Sequence, residues 1–176
     1  LNPRSNQRSD AYGGSAENRR RFLLELVDGV VAAIGAERVG VRVSPFNPFN
    51  DLAAGYEGER EEYLALVDEL ARRGIAYLHL IAAPGALPEG LVEETRARFA
   101  NTLILAGDYD GSRAEADLAA GRADLVAFGR PFIANPDLPA RLAEGAPLAA
   151  PKPETFYTPG PEGYTDYPAR AESAAA

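Results

Sequence analysis

The sequence predicts an α/β fold built on parallel strands, and three observations carry that expectation. Two apolar periods alternate along the 176 residues: a helix, then four strands separated by three helices, then a last helix. The strands are apolar nearly throughout, as strands of a parallel sheet covered on its faces must be. Helix-to-strand links turn tightly on Gly35, Gly74 and Gly121, whereas strand-to-helix links are longer and carry the unusual residues. That asymmetry belongs to a parallel (βα) barrel of the TIM type, whose sites lie on the loops after the strands. Four strands are half of such a barrel. Two architectures stay open on this count: a doubly wound sheet with helices on both faces, or a half-barrel closed by units from a second chain or another segment. The chain begins at Leu1 and contains no Met, so the expectation is a piece of something larger, which favours the half-barrel.

Each element has its own local reason. Residues 1–14 are polar and turn-rich, and read as a loop. Ser15 is a good N-cap and Glu17 suits the first turn of a helix over 16–34. Leu23, Leu26, Val27, Val30, Val31 and Ile34 recur at helical spacing there, and Gly35 closes it. A strand follows at Val39–Val43, then a loop from Ser44 to about Gly58. A helix over 59–73 places Tyr63, Leu66, Val67 and Leu70 on one face, and strand 75–81 follows Gly74 directly. After a Pro/Gly loop, a helix over 88–99 buries Leu91, Val92, Thr95 and Phe99. Strand 102–106 ends at Gly107, a helix spans 112–120, strand 124–128 follows Gly121, and a last helix covers 137–144. The division is therefore a loop over 1–15, βα units over 16–144, and a Pro/Gly-rich aromatic segment over 145–176 that frays from Ala169.

Composition excludes several classes. At 46% hydrophobic and 25% charged residues the chain is globular rather than disordered. A net charge of −8 argues against a general nucleic-acid or membrane-surface partner. No apolar run is long enough to cross a bilayer, no signal peptide is evident, and the absence of cysteine fits a cytoplasmic protein. Cysteine is absent and His79 is the one histidine, so Cys-based and multi-histidine metal sites are excluded.

The candidate chemistry sits at strand ends. Asp124–Asp137 reads as a buried strand ending in Gly129-Arg130, then a helical turn opened by Pro131. Free N–H groups, a positive dipole and the planar fork of Arg130 suit a phosphate. Gly107-Asp108 holds the corresponding place after the preceding strand. Arg42 lies on a strand whose other face is Val39, Val41 and Val43. It either pairs with a carboxylate or points into the mouth of the barrel toward an anion, and spacing alone leaves both readings open. His79, among Tyr77, Leu78 and Leu80, reads as a packed histidine with a satisfied ring. The Asp and Glu residues of the helices read as solvated faces. Phe156-Tyr157 and Tyr164–Tyr167 form either a core plug or a lid over a ring-shaped cofactor.

Several ordered motifs resemble the old yellow enzyme family of flavin-dependent ene-reductases. Ser5-Asn6-Gln7-Arg8-Ser9-Asp10, Tyr12-Gly13-Gly14-Ser15 and Glu17-Asn18-Arg19 are similar to that family's stretch after its fourth strand. Val39–Pro45 resembles its fifth strand. Leu125–Phe132 with Asn135-Pro136-Asp137-Leu138 resembles its eighth. Phe156-Tyr157 and Glu162–Pro168 resemble its C-terminal segment.

The resemblance implies that the chain supplies the last four βα units of an FMN-binding (βα)8 barrel. NAD(P)H would reduce the flavin, which passes hydride to an activated alkene, an α,β-unsaturated carbonyl or nitro compound. Arg42 would lie beside the flavin N1/O2 edge and stabilise its anionic reduced form. Gly107, Asp108, Gly129 and Arg130 would hold the phosphate, Asp108 through its backbone because an acid repels a phosphate. Phe156 and Tyr157 would lie near the flavin ring, with Tyr157 also facing substrate. The family's His-x-x-Asn pair and its proton-donating tyrosine match no residue here, and neither His79 nor Tyr77 takes those roles. The expected partner is therefore a complementary N-terminal half-barrel polypeptide. The alternative is a non-catalytic homodimer that binds FMN or another phosphate ligand.

Overall fold

The computed structural model describes residues 1–49, 54–82 and 85–170. The elements within them are α1 (Ala16–Ile34), a 3-10 turn (Ala36–Arg38), β1 (Gly40–Val43), α2 (Glu59–Arg72), β2 (Tyr77–Ile81), α3 (Leu91–Arg98), β3 (Thr102–Ala106), α4 (Gly111–Ala119), β4 (Leu125–Ala127), α5 (Arg130–Ala134), α6 (Leu138–Glu144) and a second 3-10 turn (Pro153–Thr155). Residues 50–53 and 83–84 of the two long loops, and residues 171–176, where the tail is expected to fray, lie outside the described residues. The chain divides into two compact units, Leu1–Ala127 and Phe128–Ala176. No helix among the described residues is long and apolar enough to cross a membrane.

In the first unit the four strands form one parallel sheet in chain order, β1-β2-β3-β4. A doubly wound sheet reverses its strand order at a switch point; this one does not, so that architecture is overturned. Register explains which face is covered. Val41 and Val43, Leu78 and Leu80, and Leu103 and Leu105 pair across the strands and are all buried. The other face carries a row in which Arg42 pairs with His79, His79 with Ile104, and Ile104 with Leu125. That face is open: Leu125 is 54% and Tyr77 39% exposed. Gly40 has a steric reason to be glycine, because a Cβ there would run into the ring of its pair partner Tyr77.

The helices follow local signals. Ser15 caps α1 by accepting from the Asn18 N–H at 3.2 Å, and Gly35 ends it at φ 88°. Val27 is buried, whereas Phe22, Leu26, Val30 and Ile34 form an exposed stripe one turn apart. Leu66, Val67 and Leu70 of α2 are buried, as the spacing predicts. Helix α3 starts at Leu91, later than expected, since Gly90 takes a left-handed turn. Its Leu91, Thr95 and Phe99 are buried, and Val92 is half-buried. The link from α3 to β3 has no glycine. Arg96 holds it instead, donating to the Asn101 carbonyl at 2.9 Å and to Asp124 at 2.6 Å, while Asp124 accepts from the Leu103 N–H at 2.8 Å.

In the second unit Asn135 is fully buried and its amide organises the chain around it. It donates to the Pro131 and Ala149 carbonyls at 2.8 and 3.1 Å and accepts from the Ala149 N–H at 2.8 Å. Arg141 binds Asp137 at 2.6 Å and the Pro147 carbonyl at 2.9 Å. Gly163, at φ 78°, packs so closely on Thr155 that a Cβ would collide with it.

Candidate functional site

Alternation puts the buried valines of β1 on one side and Arg42 on the other, so the Arg42 side chain lies on the open face of the sheet. Beside it is His79. Burial, and then the Arg42 charge, hold the His79 ring below the usual imidazole value of 6.5, which favours the neutral form. Its Nε2 is buried without a hydrogen-bond partner among the described residues. The expected satisfied ring is therefore corrected: one buried nitrogen is left over.

The loop after β1 is held from beneath. Glu59, at the start of α2, is buried and accepts from the Phe46 and Gly55 N–H groups, each at 2.7 Å, so one carboxylate ties both limbs of the loop. The helix N-terminus favours that charge. Glu62, 1% exposed, pairs with Arg19 at 2.5 Å and accepts from the Tyr56 hydroxyl at 3.0 Å. Asp117 is buried too and accepts from Tyr109 at 2.5 Å and from Arg122 at 2.8 Å. Burial alone would raise the Asp117 carboxyl, but these two partners outweigh it and hold it below 3.8. The reading of the helical acids as solvated faces fails at these three positions. Glu62 finds Arg19 from far along the chain, and the nearer partners of Glu59 and Asp117 lie in loops beyond their helices, where helical spacing does not announce them.

At the end of β3, Gly107 and Asp108 take φ 120° and 49° in succession. The left-handed region strains a non-glycine residue, and aspartate tolerates it better than most. Consecutive positive φ values shape a turn whose backbone N–H groups can line a concave anion cup. Arg113 donates to the Gly107 carbonyl at 2.8 Å and to the Ala82 carbonyl at 2.7 Å. Sequence reading passes over it, because its partners are main-chain atoms.

The second unit places Gly129 just before α5, at φ −92° and ψ −86°, with Pro131 at the helix start as expected. A Cβ on Gly129 would meet open space, so its backbone is accessible to a ligand. Helix α5 has only five residues. Its dipole is correspondingly short, and an anion there depends on the local N–H groups and on the exposed Arg130. Phe156 is half-buried; its carbonyl accepts from the Tyr164 hydroxyl at 2.6 Å. It lines a cleft of about 380 Å³ with Phe132, Ile133, Pro136, Tyr164 and Tyr167. Tyr157 meets Phe156 edge-on, with ring centres 6.5 Å apart, and projects outward at 89% exposure. Thus the first unit joins Arg42 to His79 on the open face and forms the Gly107-Asp108 turn. The second joins the Arg130 turn to an aromatic cleft.

The sequence model of the family described as NADH:flavin oxidoreductase / NADH oxidase matches residues 1–149. The chain belongs to that family. Relatives include a probable flavin mononucleotide-dependent alkene reductase of Leishmania infantum, 43% identical over 96% of this chain and 46% of the relative. Another is 12-oxophytodienoate reductase 1 of Oryza sativa subsp. japonica, 44% identical over 93% of this chain and 45% of its own length. Among solved structures, morphinone reductase in complex with tetrahydroNAD superposes with a TM-score of 0.86 at 51% identity, covering 93% of this chain and 44% of that one. The old yellow enzyme homologue of Zymomonas mobilis gives 0.84 at 39% identity, covering 93% of this chain and 47% of that one. The chain therefore spans about half the length of the relatives it matches. The cofactor of this old yellow enzyme family is FMN, with a nicotinamide nucleotide as reductant.

Proposed function

We propose that this chain forms the last four βα units of an FMN-binding barrel and, joined to four preceding units, reduces activated alkenes with NAD(P)H. The observation that carries the reading is the open sheet face. It presents Arg42 and the exposed Tyr77 and Leu125, with the half-buried His79 paired across the strands with Arg42, whereas the opposite face is packed. A sheet with one finished face and one bare face, in unbroken strand order, is what half of a barrel presents. The exposed stripe on α1 supports the same partner, since it would meet a preceding helix in the outer ring.

The residues present fit FMN. Backbone N–H groups at Gly107-Asp108 and at Gly129 and the Arg130 guanidinium would hold the phosphate. Arg42 would place a cation beside the pyrimidine edge of the ring, and Phe156 and Tyr157 would border its plane, with Tyr157 reaching substrate. The bound flavin would supply hydride transfer. The role of Arg42 would be electrostatic: once preceding units cover this face and exclude water, a fixed positive charge favours extra negative charge next to it. Substrate activation and proton donation would belong to the preceding units, since the family's His-x-x-Asn pair and proton-donating tyrosine match no residue of this sequence.

The test is to co-express this chain with an N-terminal half from a relative and follow NADPH oxidation with 2-cyclohexenone. A yellow pair that turns over is expected; a pair that assembles without flavin and without turnover refutes the proposal. Flavin bound by a homodimer of this chain alone, without turnover, would favour the non-catalytic alternative. Arg130→Ala in the active pair should weaken FMN binding by about 1–3 kcal/mol, the loss of a charged hydrogen-bond partner. Unchanged affinity removes Arg130 from the phosphate site.

A further inference from the structure

We propose that Arg113 is the positioning residue that sets the Gly107-Asp108 turn for a phosphate; this rests on the FMN reading above. Strands β2 and β3 end at Ile81 and Ala106, and the Ala82 N–H still reaches the Ala106 carbonyl at 2.5 Å. Just beyond, the two strand ends part. There the guanidinium of Arg113 donates from Nη1 to the Gly107 carbonyl at 2.8 Å and from Nη2 to the Ala82 carbonyl at 2.7 Å. One planar fork thus bridges two neighbouring strand ends and continues the ladder by a side-chain rung.

The fork is itself fixed on several sides. The Tyr109 ring lies under it, 3.9 Å from ring centre to guanidinium carbon. The Tyr109 hydroxyl donates to buried Asp117 at 2.5 Å, and Asp117 is also held by Arg122. The Arg113 N–H donates to the capping carboxylate of Asp110 at 2.7 Å.

The consequence is geometric. The peptide between Gly107 and Asp108 is planar and trans, so its carbonyl and its N–H point in opposite directions. Pinning the Gly107 oxygen on Arg113 therefore directs the Asp108 N–H away from Arg113. Asp108 pays for this with a left-handed φ of 49°, a conformation that persists where the surroundings over-determine it. Arg113 supplies that determination. A lysine retains the charge but not the planar fork, and so reaches one carbonyl at a time.

The experiment uses the assembled protein, with Arg113→Lys and Arg113→Met. Dissociation constants are measured for FMN and for riboflavin, which lacks the phosphate, together with the thermal midpoint and the Asp108 amide resonance. Both variants should lose about tenfold in FMN affinity, the scale of one charged hydrogen bond. Riboflavin affinity should hold, and the Asp108 amide resonance should shift. Should Arg113→Met fail to fold, Arg113→Lys carries the comparison. Equal weakening of both ligands would show a general structural role and overturn the inference, as would an unchanged FMN to riboflavin ratio. A parent protein that binds both ligands equally would refute the phosphate reading itself, and the inference with it.

Discussion

The two faces of the sheet are made by alternate residues of the same four strands, yet they meet different surroundings. On one, Leu78, Leu80, Leu103 and Leu105 are at most 2% exposed. On the other, the row Arg42, His79, Ile104 and Leu125 ends in a leucine that is half in water. The covered face pays back the entropy of folding through apolar burial. The open face holds a cation, an imidazole and unburied apolar surface. On the proposed function, folding and function fall on opposite sides of one sheet.

That division can be broken by mutation. In the chain alone, Leu103→Ala on the covered face should cost about 2–5 kcal/mol in urea unfolding. Leu125→Ala on the open face should change stability by less than about 0.5 kcal/mol. Equal costs would mean that the open face is packed in the chain alone. Next in size, Arg19→Met leaves the buried Glu62 carboxylate without its cation and should cost about 3 kcal/mol; a loss under about 1 kcal/mol would mark the pair as a solvated one. Ser15→Ala, at the cap of α1, should lower stability by about 1 kcal/mol, seen as a lower thermal midpoint without loss of the sheet signal.

The smallest effect is a pH dependence that belongs to the open face. The folded His79 titrates below 6.5, so as pH falls through that region the unfolded chain binds a proton that the folded chain refuses. Stability should therefore be full above the unfolded value and fall as pH drops through and below it, before the carboxylates titrate. His79→Asn should flatten that slope; an unchanged slope would assign it to other groups.

Much of the architecture is legible because its signals are local. Ser15 and Gly35 mark both ends of α1, and Gly74 and Gly121 mark strand entries, so those bounds follow from residue chemistry at the position itself. The positions of Arg42 on β1, Gly107 after β3 and Gly129 before α5 follow from the βα pattern. What stayed hidden depends on partners far away in sequence. Glu59 and Glu62 look like solvated helix acids until the Phe46 N–H and Arg19 are brought to them. Arg113 looks like a surface arginine of α4 until the ends of β2 and β3 supply two carbonyls. The exposed stripe on α1 has the spacing of a core face, and the periodicity of Leu26, Val30 and Ile34 does not distinguish a face covered within this chain from one awaiting cover.

The absence of cysteine from the chain permits a direct measurement of whether the open face is an interior. A single cysteine is placed at Leu125, with Leu105→Cys as a buried control, and maleimide labelling is timed with and without the four preceding units. The expected result is rapid labelling of Leu125→Cys in the chain alone and strong protection in the assembled protein, with Leu105→Cys slow in both. Equal labelling of Leu125→Cys in a pair that has demonstrably assembled would contradict the half-barrel reading.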